Sequence, residues 1–170
     1  MDVTTAVFSG KLLERGFWLY VWEVAIPGGK LLYYVGRTGD SSSANAQSPF
    51  NRMGQHLGQN RKSNMLRKYL QQYDDKGIEL SHCSFRIVAL GPLWEESTDH
   101  EEHRRIRDKI AGLEFGFEKS MRESGYEVLN IVRSSNTEDK PLLQEIVAKL
   151  SHEFPLLKMR RAHANEDGCE

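Results

Sequence analysis

Residues 17–36 read FWLYVWEVAIPGGKLLYYVG, and this stretch decides the architecture. Residues 17–26 are aromatic and β-branched with Glu23 as their one charge, the composition of a strand buried within a sheet. Pro27-Gly28-Gly29 supply a tight turn, and Leu31 to Val35 return as a partner strand. So short a connection requires antiparallel pairing, which draws residues near Tyr20 toward residues near Tyr34. Side chains alternate across a strand, so Tyr33 faces away from Tyr34 and reads as a packing residue.

Working outward, residues 39–48 form a polar loop that ends in Ser48 and Pro49, a helix N-cap and a first-turn proline. The helix they start runs to about Leu57 and carries Arg52 and His56 on one face. A second helix is expected over residues 64–72, with Leu66, Tyr69, Leu70 and Tyr73 inward and Arg67 and Lys68 outward. His82 to Leu90 read as a third strand stopped by Gly91-Pro92. A long helix begins between Thr98 and Glu101 and ends at Ser124, with Gly125 just past its end. Ile106, Ile110, Leu113, Phe117 and Met121 give it a buried stripe. Gly112 and Gly116 interrupt good helix formers at a cost of about 1 kcal/mol each, which implies close packing against the sheet. Pro141 to Leu150 form a last helix. The order β-β-α-α-β-α-α predicts a small α/β domain, with a mainly antiparallel three-stranded sheet flanked by helices.

A chain of 170 residues accommodates one such core and not two. No apolar run approaches the ~20 residues that cross a bilayer, and residues 1–16 lack the pattern of a secretory leader. Cys83 and Cys169 form neither a disulfide framework nor a metal cluster, and His82, His100, His103, His152 and His163 are too scattered for zinc. A cytoplasmic location is the expectation. The formal net charge is −1, yet residues 48–73 carry Arg52, Arg61, Lys62, Arg67 and Lys68 and no acid before Asp74. That asymmetry predicts a local positive face suited to phosphate.

The ordered set Trp18-Leu19-Tyr20, turn, Tyr34-Val35-Gly36, Arg52 with His56, Glu118, and Asn130 twelve residues further on resembles the GIY-YIG nuclease superfamily. The resemblance covers residues 17–131. Residues 132–161 then form a C-terminal helical extension, and residues 162–170 a tail expected to be disordered. Trp18 and Leu19 depart from the glycine and isoleucine of the first motif, and a Ser/Asn-rich loop precedes the arginine helix.

The resemblance implies a metal-dependent endonuclease that hydrolyses DNA phosphodiester bonds by direct attack of water, restriction-like or structure-selective. Glu118 would hold Mg²⁺ or Mn²⁺; Glu114, one turn earlier, is its rival, and pairing with Arg122 is the alternative role for Glu118. Arg52 would grip the scissile phosphate, since its planar fork binds two oxygens while staying charged. His56 would accept a proton from water or hold a tyrosine hydroxyl. Tyr20 would orient or deprotonate the water, Tyr34 position water or phosphate, and Asn130 bond backbone beside the site. Arg37 is a second phosphate contact, and Arg61, Lys62, Arg67 and Lys68 would hold flanking DNA backbone. Specificity would come from a homodimer, a partner protein or recognition loops. A nucleic-acid-binding module without catalysis is the alternative, and an exposed Trp18/Trp22 face would favour a protein-interaction scaffold.

Overall fold

The sheet forms around the residue 17–36 hairpin. In the computed structural model, which describes residues 3–39, 45–60, 63–73 and 77–157, β1 (Phe17–Ala25) pairs antiparallel with β2 (Leu31–Arg37) on one side. On its other side it pairs antiparallel with β3 (Ser84–Trp94), giving the order β2-β1-β3. Alternation along β1 assigns the two cores. Phe17, Leu19 and Val21 join Tyr33 and Val35 on one face, while Tyr20, Trp22 and Val24 join Leu32 and Tyr34 on the other.

Helices cover both faces. α1 (Pro49–Leu57) and α2 (Met65–Gln71) cover the Tyr20 face, with Leu66 and Leu70 fully buried and Met53 and Leu57 packed beside them. α3 (His100–Glu123) lays Ile106, Ile110, Leu113, Phe117 and Met121 on the opposite face, the stripe read from the sequence. Asp99 caps α3 by accepting from Glu101 N and Glu102 N at 2.7 and 3.0 Å, and Gly125, at φ 93°, lets the chain turn away at its end. α4 (Lys140–Leu150) adds Leu143, Ile146 and Leu150 to the same core, followed by Phe154 and Leu157. The segment after residue 131 therefore shares the core of the domain that precedes it.

Two expectations need correction, and one open condition is answered. β3 runs to Trp94 and does not stop at Leu90; it passes through Gly91-Pro92 by a register shift against Phe17 and Leu19. Proline is tolerated there because β3 is an edge strand and one side of it needs no ladder donor. Gly112 and Gly116 do pack closely, but against the chain before and within α4. A Cβ on Gly112 would lie 2.7 Å from the Thr137 carbonyl, and one on Gly116 2.7 Å from Leu143. Trp18 and Trp22 are buried, at 2% and 1% exposure, so the exposed aromatic face that would favour a scaffold does not exist. Arg61, Lys62 and the 162–170 tail lie outside the described residues. Among the described residues, no helix is long and apolar enough to cross a membrane.

Candidate active site

Register builds the site. Tyr20 lies opposite Gly36 and Trp22 opposite Tyr34, so both tyrosines project from one face at adjoining positions. Gly36 matters because it lacks a side chain: a Cβ there would lie 2.5–2.6 Å from the Tyr20 ring and hydroxyl. The ring thus passes over the Gly36 backbone, and the hydroxyl meets His56 Nε2 at 2.7 Å. Ser48 caps α1 through Asn51 N, and one turn of that helix separates Arg52 from His56, so both reach the same oxygen. Arg52 Nε is 3.5 Å from it, an electrostatic contact more than a formed hydrogen bond. Arg52 is oriented by donating from a terminal nitrogen to Gln55 Oε1 at 2.7 Å, and Gln55 in turn donates to Gln47 Oε1 at 2.7 Å. Neither glutamine was singled out from the sequence; the i,i+3 spacing of Arg52 and Gln55 was the available signal.

Tyr34 packs its ring 5.0 Å from the His56 ring. Burial first, then the neighbouring Tyr20 phenol and Glu114 carboxylate, push its hydroxyl far above the usual phenol range, with Arg52 opposing. Tyr34 therefore keeps its proton across the ordinary pH range. Tyr33, on the other face against Tyr126 and Phe154, is pushed up to about 12, chiefly by burial. The unfolded chain releases a phenol proton near pH 10. Above that pH the folded state binds more protons than the unfolded one, so stability falls as pH rises. Urea midpoints at pH 9 and pH 11 should show this loss in the parent protein and a smaller loss in Tyr34→Phe.

The carboxylate that joins this group is Glu114. It lines, with Tyr20, Tyr34, Gly36, Arg37, Arg52 and Met65, a cleft of about 150 Å³ where β1, β2, α1, α2 and α3 meet. Arg37 Nε donates to Glu114 Oε2 at 2.9 Å, and both side chains are only 16% exposed.

Glu118, expected as the metal ligand, is not among the residues lining the cleft. It is buried and ion-paired with Arg122, whose other arm donates to the Asn130 carbonyl at 2.6 Å. Four residues of helix displace it about 6 Å along the axis from Glu114, and Arg122 at i+4 takes its charge. Asn130 bonds backbone at the edge of the site. Its Oδ1 accepts from Val35 N at 3.0 Å and its Nδ2 donates to Val35 O at 2.8 Å, closing the free edge of β2 next to Tyr34. Asn130→Ala would leave both buried groups of Val35 without partners, at a cost of roughly 2–4 kcal/mol, measurable by urea unfolding.

No family model, curated protein or solved structure matches the chain.

Further along α2, Arg67 and Lys68 line a polar groove of about 480 Å³ with Gln59, Asn64 and Gln71. Arg67 also donates to the Leu57 carbonyl at 3.3 Å, which ties α2 to the end of α1. Met65 stands between groove and cleft as an exposed apolar residue that the sequence did not mark.

Proposed function

We propose that the protein is a divalent-metal-dependent endonuclease of the GIY-YIG type, hydrolysing DNA phosphodiester bonds by direct attack of water, with Glu114 in place of Glu118 as the metal ligand. The observation that carries this reading is the convergence of Tyr20, Tyr34, Arg52 and Glu114 on one small cleft, with His56 bonded behind Tyr20. These residues come from four elements, β1, β2, α1 and α3, spread over most of the domain. A packed core does not require two phenols, two guanidiniums and a carboxylate at one spot.

The donor set suits a hard cation. Mg²⁺ and Mn²⁺ accept one or two carboxylates and keep several waters, completing their shell with substrate phosphate. Among the described residues no group of three or more His, Cys, Asp or Glu side chains is gathered, and such an ion does not need one. When bound, it supplies charge stabilisation to the transferring phosphoryl group and the leaving oxygen. Arg52 grips the phosphate with its fork while Gln55 holds the guanidinium in orientation. Tyr20 contacts the attacking water, and its bond to His56 Nε2 gives a proton a place to go. Tyr34, held neutral by burial, donates a hydrogen bond to a phosphate or water oxygen. Arg67 and Lys68 retain backbone on either side of the cut without reading sequence.

Purified protein with Mg²⁺ or Mn²⁺ is expected to nick or cut at least one of plasmid DNA, branched DNA and RNA, and chelation should stop it. Binding of all three with cutting of none, under either metal, would favour the non-catalytic binding module. A double-strand cut would call for a homodimer, since the cleft holds one set of groups.

A further inference from the structure

We propose that Arg37 changes partners during the reaction: it holds Glu114 until a divalent cation takes that carboxylate, and it then turns to the substrate phosphate. The proposal rests on the nuclease reading above and adds an order of events to it. Arg37 is thereby a residue that competes with the metal first and binds substrate second.

Three observations lead there. The Arg37–Glu114 pair lies in the cleft wall itself, at 2.9 Å and with both side chains largely buried. Arg37 Nη1 is buried and has no hydrogen-bond partner among the described residues. A guanidinium offers five N–H donors in a fixed fork, so a single contact from Nε leaves much of its capacity for an anion. The backbone that carries Arg37 is anchored: the next residue, Thr38, is fully buried, accepts from Trp18 N at 2.8 Å and donates to the Gly16 carbonyl at 2.5 Å. The exchange therefore needs only a side-chain rotation.

Charge decides the order. Arg37 and Arg52 against Glu114 leave the cleft one unit positive, the complement of a single phosphodiester. A divalent ion added to Glu114 with Arg37 still in place would crowd two cations onto one largely buried carboxylate, where repulsion is weakly screened. Arrival of the phosphate relieves this by giving Arg37 a second anion. Metal and phosphodiester thus raise each other's affinity, and by linkage they do so by the same factor. Without substrate, the metal must displace Arg37, which lowers its apparent affinity by the fraction of molecules in which the pair is open.

The test is a Mn²⁺ titration of the full chain followed by electron paramagnetic resonance, with no nucleic acid present. Arg37→Ala and the bulkier Arg37→Gln are both expected to bind Mn²⁺ about 10- to 100-fold more tightly than the parent, even though both cut DNA more slowly. Glu114→Gln should lose the site and Glu118→Gln should keep it. If both Arg37 variants bind no more tightly than the parent while Glu114→Gln still abolishes binding, the exchange is wrong and the metal site stands. If no Mn²⁺ binding depends on Glu114, the metal-site reading fails and the exchange falls with it. Circular dichroism of each variant separates either outcome from unfolding.

Discussion

Glu114→Gln is expected to lower the cleavage rate by roughly 10³-fold while leaving the fold intact, whereas Glu118→Gln should stay within about tenfold of the parent. The first figure follows from what a bound cation supplies to a phosphoryl transition state, several kcal/mol, at about 1.4 kcal/mol per tenfold. Glutamine keeps the shape of Glu114 and removes the charge that would draw a cation into the cleft. Its folding cost should be modest, because glutamine can still accept from Arg37 and the pair lies beside solvent-reaching space. Single-turnover cleavage at saturating Mn²⁺, with unfolding measured on the same samples, reads both quantities.

Glu118→Gln tests the opposite pattern. Its carboxylate is buried against Arg122, which also holds the Asn130 carbonyl. Loss of that charge loosens Arg122 and costs about 1–3 kcal/mol of stability. Slow cutting by Glu118→Gln together with normal cutting by Glu114→Gln would reverse the assignment and sink the cleft as the reaction site.

The two glutamates show where a sequence stops being legible. Hairpin, caps and stripe were readable because each depends on neighbours within a few positions: Ser48-Pro49 before α1, Gly125 after α3, the 3-4 spacing from Ile106 to Met121. Arg52 and His56 were readable as a pair because one helical turn puts them on one face. The choice between Glu114 and Glu118 depended on a different kind of fact. Both lie on the same side of α3, one turn apart, and only the height at which α3 crosses the end of β2 decides which meets Arg37. Spacing to Asn130 gave no purchase on that height, because Asn130 is set by its bonds to the Val35 peptide and not by any bond to a glutamate side chain. The glycines of α3 failed for a similar reason. Their need for close packing was written in the sequence, but the packing partner, residues 136–143, lies beyond the helix and is placed by tertiary contact alone.

Gly36→Ala is the other change expected to have a large effect, and it acts by sterics instead of charge. Gly36 is in β2 opposite Tyr20, with ordinary extended backbone, so alanine meets no conformational penalty there. The added methyl, however, would stand 2.5–2.6 Å from the Tyr20 ring and hydroxyl, well inside van der Waals contact. Tyr20 is 1% exposed and packed among Trp22, Tyr34 and His56, so the one way open to the ring is toward the cleft it lines, away from its present seat. Relief requires either the strands to part or the ring to swing off Gly36, and overpacking of this kind costs about 1–3 kcal/mol or somewhat more. Either motion takes the hydroxyl away from His56 Nε2, and a displacement near 1 Å at a reacting group is worth about 10²-fold in rate. Tyr20→Phe offers the control, since it removes the hydroxyl and leaves the ring in place. It should lose rate to a similar degree with far less loss of stability. If Gly36→Ala instead unfolds at the parent's urea midpoint and cuts at the parent's rate, Tyr20 does not reach its oxygen across Gly36, and the phenol–imidazole pair is not the centre of the reaction.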